Sequence, residues 1–168
     1  MNKIVTILFI CILCTVSYSD VGKRHSEKEG GFSFCAPKGW QFREFPGFKY
    51  QISVGPAEKG FAPNINVVDE SFDGSIEKYV DANIVTMEAL FKDLKIRKRD
   101  TFSTSNKLKG ERLVITSLQQ GNVLRQTFYF FEGSKGKKLV ITCSCLSENG
   151  ESFDEIFEES LKTFQVIK

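Results

Sequence analysis

Residues 110–146 constrain the fold more than any other part of the chain, because they read as three consecutive strands with two apolar faces. The strands are 110–120, 123–132 and 138–146, joined by Gly121-Asn122 and by Gly133-Ser134-Lys135-Gly136-Lys137. A two-residue loop containing glycine suits a primed hairpin turn, since glycine accepts the positive φ that matches strand twist. If Gln120 faces Val123, then Leu113 and Ile115 lie beside Phe130 and Phe128, sharing a face with Val140 and Leu146. Val114 beside Tyr129, and Leu118 beside Arg125, fall on the other face with Leu139, Ile141, Cys143 and Cys145. An antiparallel sheet with one wet face alternates polar and apolar residues along its strands. This one does not, so a layer must cover each side.

Two amphipathic segments supply the layers. In residues 75–94 the apolar side chains of Ile76, Tyr79, Val80, Ile84, Met87, Leu90, Phe91 and Leu94 recur at helical spacing, after Ser75 as N-cap. Beyond the strands, Ser152 and Glu155 have the spacing of a capping box, and Phe153, Ile156, Phe157, Leu161 and Phe164 follow on one helical stripe. One helix before the meander and one after it predict an α+β fold, a three-layer α/β/α sandwich on a mainly antiparallel sheet. Shorter strands are expected at 31–36, 40–45, 48–54 and 64–71. Residues 95–104 read as an exposed strand whose Lys95, Arg97, Lys98 and Arg99 guard a sheet edge against aggregation.

The N-terminus has the pattern of an export leader: Lys3, an unbroken run from Ile4 to Val16, then Ser17-Tyr18-Ser19. That run is too short for a membrane span, and small residues fit cleavage after Ser19. Residues 1–19 are therefore expected as a signal peptide, 20–30 as a flexible linker and 31–168 as a single domain. Cys14 offers lipid anchoring as an alternative, against which Leu13 is a poor residue before a lipid-modified cysteine. Export to the periplasm or beyond places the mature chain in an oxidising space. Cys143 and Cys145, two apart on one strand, are badly placed to join each other. A bridge from Cys35 to one of them is expected, the other reading being three small buried hydrophobic residues.

Several chemistries are excluded or disfavoured. His25, the sole histidine, falls in the polar segment, so the folded part lacks a base for Ser-His or Cys-His catalysis and a ligand for histidine-bound zinc. The phrase from Asp69 to Gly74 starts like a calcium loop, but its twelfth position is Val80 and a strand precedes it. No metal or cofactor site is expected. A net charge of +2 gives no electrostatic case for nucleic acid. Trp40, Asn64 and Asn66, an aromatic and two amides at loop and strand ends, are the expected partner face.

The phrases GFSFCAPKGW, PNINVVDES, SIEKYVDANI, GERLVITS, LRQTFYFF and FEESLKTFQV together resemble the PsbP-like superfamily, whose bacterial branch includes DcrB-like envelope proteins. The resemblance runs from Gly30 to Lys168 and implies an α/β/α sandwich. It also implies a non-enzymatic role: a photosynthetic member supports the oxygen-evolving complex, a eukaryotic relative binds the GTPase Ran, and DcrB-like members act in the bacterial envelope. It carries no functional residue across, because these roles use different surfaces. The expected function is an exported, non-enzymatic binding or assembly module of the cell envelope with a protein partner. The alternatives are a periplasmic small-ligand or divalent-metal carrier and, third, a thiol enzyme using Cys143 or Cys145.

Overall fold

A computed structural model describes residues 21–167. The expected leader, with Cys14, lies outside the described residues. The main sheet has seven strands in the order β3-β4-β5-β9-β8-β7-β6, each antiparallel to its neighbours. They are β3 (Gln41–Arg43), β4 (Ile52–Val54), β5 (Asn64–Ser71), β6 (Lys92–Ser103), β7 (Lys109–Gln119), β8 (Asn122–Glu132) and β9 (Lys137–Leu146). A smaller sheet pairs β1 (Val21–Glu27) and β10 (Gln165–Val166) with β2 (Phe32–Pro37).

Both faces of the main sheet are covered, as its apolar patterning requires. Helix α1 (Ile76–Leu90) sets Tyr79, Val80 and Met87 against Leu113, Ile115, Phe128, Phe130 and Val140. On the other face, Ile65, Tyr129, Phe131, Ile141 and Cys143 meet Phe157 and Leu161 of helix α2 (Gly150–Lys162) and Phe32 and Phe34 of the small sheet. The second layer is thus a helix and a sheet together. The small sheet is absent from the sequence-based architecture because β10 is only two residues long and β1 is polar.

The polar segment 20–30, expected as a linker, contains the paired strand β1 instead. Its pattern hides this, since Lys23 and Arg24 are exposed and His25, half-buried, is the side chain that packs inward on Phe42, ring centroids 4.2 Å apart. Arg24 Nη1 fastens the strand by donating to Ser33 Oγ at 3.0 Å and to the Thr163 carbonyl at 3.1 Å.

The hairpin register also moves. Gln119 faces Asn122, so the turn residues are Gln120 and Gly121, both at positive φ (49° and 85°). Leu113 therefore sits opposite Phe128 and not Phe130. The shift is two residues along one strand, and a shift of two leaves every side chain on its face. Helix α1 stops at Leu90, four residues before its apolar spacing does; Phe91 caps it in extended conformation and packs on the same core with Leu94. Leu90 is 73% exposed. Helix α2 begins at Gly150, before the expected capping box, and Ser152 Oγ donates to the Asn149 carbonyl. The basic strand β6 forms a sheet edge, with register shifts at 92–95 and 96–98 of the kind that turn an edge away from further pairing.

Candidate functional site

Trp40, Asn64 and Asn66 do not share a surface. Trp40 is half-buried and packs edge-on against Phe157, ring centroids 6.0 Å apart, and beside Phe153 at 6.3 Å. Gly55 makes room for it, since a Cβ there would lie 2.6 Å from the indole. Trp40 is a core plug on the α2 side. Ile65 and Val67 of β5 face that side too, so strand alternation sends Asn64 and Asn66 to the α1 side. Asn64 Nδ2 there donates to the Ala62 carbonyl.

Cys35, Cys143 and Cys145 carry free thiols. Cys143 and Cys145 point into the α2-side core with Phe34. Cys35 follows Phe34 on β2, so its side chain points out of that core, away from both. Burial raises the Cys143 thiol well above its usual value and pushes Cys145 up to about 12. Arg125 faces Cys145 across the strands, but it is engaged by Asp154 at 2.6 and 2.9 Å and does not offset that burial. These thiols are poor nucleophiles at neutral pH. A thiol-specific reagent applied to the native domain at pH 7 is expected to leave Cys143 and Cys145 unmodified by peptide mass mapping, and to label both in denaturant. Native labelling at either would show that this core opens readily.

The structure instead assembles a groove of about 580 Å³ between the edge strand β1 of the small sheet and the segment joining β3 to β4 of the large one. His25 and Glu27 line one wall, and residues 44–46 and 48–51 the other. Phe45-Pro46-Gly47-Phe48 is a tight turn closed by the Phe48 amide donating to the Phe45 carbonyl at 3.2 Å. Proline second and glycine third, with φ of 87° at Gly47, is the type II signature. The turn presents Phe45 and Phe48 to solvent, 41% and 46% exposed.

The groove has a firm base. Asp69 on β5, its side chain only 4% exposed, accepts from Lys49 Nζ at 3.0 Å, from Tyr50 Oη at 2.9 Å and from Lys137 Nζ. Burial alone would raise its carboxyl, but hydrogen bonds from Lys137, Lys49 and Tyr50 outweigh that and hold it down to about 2. The ring of Tyr50 meets Phe32 edge-on at 5.2 Å, so the chain just after Phe48 is pinned to the core. Burial lowers the pKa of His25, whose Nε2 is buried without a hydrogen-bond partner. Asp69 and Glu70 thus serve structure in the segment that began like a calcium loop, Glu70 accepting from Tyr79 Oη at 2.6 Å.

Reading 40–45 and 48–54 as strands hid the groove. The available signal was Pro-Gly between two phenylalanines, which marks a turn whose flanking rings have no sheet position to fill.

No family model and no curated protein sequence matches the chain. Solved structures do. Cyanobacterial PsbP (CyanoP) from Synechocystis is similar with a TM-score of 0.63 at 14% identity, over 90% of this chain and 95% of that one. LpqN, involved in cell envelope biogenesis of Mycobacterium tuberculosis, gives 0.63 at 12% identity over 90% and 88%. The Ran-binding protein Mog1p of Saccharomyces cerevisiae gives 0.61 at 14% identity over 87% and 95%. Among the described residues no helix is long and apolar enough to cross a membrane. The chain has the fold that these three proteins share, a large antiparallel sheet with a helix on each face.

Proposed function

We propose that the chain is an exported, non-enzymatic binding or assembly module of the cell envelope, of the DcrB-like kind, which docks a protein partner at the groove beside Phe45 and Phe48. One observation carries this reading: two large aromatic side chains held in water by a rigid turn whose base is locked by the Asp69 hydrogen bonds. Exposed phenylalanines gain nothing from solvent, whereas aromatic side chains beside a concavity are the usual anchors of an interface. The envelope role of LpqN and the Ran binding of Mog1p, proteins of this fold, support a binding function.

The test is site-specific photocrosslinking in the envelope of an expressing cell, with the crosslinker at Phe48 and, as control, at Thr86 on the exposed part of α1. One dominant adduct at position 48, absent at 86 and lost in a Phe45→Ala background, is the expected result. Equal adducts at both positions would refute docking at the groove.

A further inference from the structure

We infer that the groove takes a basic, aliphatic segment of the partner, whose arginine or lysine heads sit on Glu27 and Glu44 and over the rings of Phe45 and Phe48. This rests on the docking role proposed above. Four ionisable side chains line the groove: His25, Glu27, Glu44 and Lys49, with the phenol of Tyr50 already given to Asp69. The Lys49 cation is taken by Asp69 at 3.0 Å and Glu29 at 3.6 Å. The His25 ring is stacked on Phe42. Among the described residues Glu44 has no ion pair, and Glu27 accepts only from the Glu29 amide at 3.1 Å. The lining is therefore net negative as well as aromatic.

That pairing selects a class of occupant. A guanidinium or ammonium head is attracted both to carboxylates and to the face of an aromatic ring, and its aliphatic stem covers apolar surface. An acidic segment or an anionic membrane meets like charge. A second copy of this chain is the competing occupant, since β6 lies at the far edge of the same sheet. There Lys92, Lys95 and Arg97 have no acidic partner among the described residues.

The probes are two fluorescein-labelled peptides, one alternating arginine with leucine and one alternating glutamate with leucine, read by anisotropy with the mature domain. The arginine peptide is expected to bind, and to lose at least tenfold in affinity with Glu27→Lys/Glu44→Lys and with Phe45→Ala/Phe48→Ala. The glutamate peptide is expected to bind only the lysine variant. Unchanged thermal melting of both variants confirms that they fold. Equal binding of the two peptides by the unaltered domain, or loss with the alanine variant alone, would overturn the charge inference and leave the docking role standing. Binding untouched by the alanine variant would overturn both. Concentration-dependent self-association in sedimentation, abolished by Lys92→Glu/Lys95→Glu, would make the second copy the occupant and the inference wrong.

Discussion

Phe164→Ala is expected to cost the domain about 4 kcal/mol, the middle of the range for emptying a buried aromatic site. The side chain is fully buried where three elements converge. Its ring lies parallel to Phe131 of the main sheet at 5.1 Å and 11°, and stacks on Phe32 of the small sheet at 5.9 Å. Phe34 is 6.4 Å away, and the Phe164 amide donates to the Leu161 carbonyl where α2 ends. No neighbouring side chain can follow the deletion, because Phe131 is held in β8 and Phe32 and Phe34 in β2. Taking 2–4 °C per kcal/mol for a domain of this size, the melting temperature should fall by roughly 8–16 °C. Phe164→Leu, which keeps more of the volume, should recover over half of that. A loss below about 1 kcal/mol in denaturant titration would mean that the small sheet is not packed on the main sheet through this ring.

The second large effect is on acid stability. The folded Asp69 carboxyl is held at about 2 against an ordinary 3.8, because Lys137, Lys49 and Tyr50 donate to its ionised form. A depressed folded pKa contributes stability that is fully present above the unfolded value and is lost as pH falls through the folded one. The window is therefore pH 4 down to pH 2, over which on the order of 2 kcal/mol should disappear. Asp69→Asn should remove that slope in stability measured against pH, and also lower stability at neutral pH, since Lys49 and Lys137 lose their shared acceptor. Parallel acid limbs for the variant and the parent would refute the assignment. The variant bears on the groove too, because the residues after Phe48 are anchored at this carboxylate.

Both effects belong to parts of the molecule that the sequence discloses unequally. The meander was legible with its two apolar faces, although the turn was placed one residue late and the register was off by two. Side-chain direction repeats every two residues, so Leu113, Ile115, Phe128 and Phe130 shared a face under either register. Helix α1 was visible from its stripe, but its end was not. Phe91, the cap of the helix, and Leu94, already on β6, keep the helical spacing while contributing to the same core, and only the observed backbone separates them from the helix. Strand β1 left no periodic trace because a histidine packs inward where an aliphatic residue would have announced it.

What the sequence determined by itself was the layered architecture. Apolar periodicity is a local property of strands and helices, and two apolar sheet faces demand two covers. Tertiary structure alone decided which residues are available to bind. Trp40 was as good an interface candidate as Phe48 by residue type, and the fold packed one, half-buried, against Phe157 and left the other in water. The same holds for the thiols, separated by the pleat of two strands, and for Asp69, drawn from a calcium-like phrase to lysines 20 and 68 residues distant. Availability depends on which chain segments converge, and convergence is a property of the whole packed molecule that no local pattern encodes.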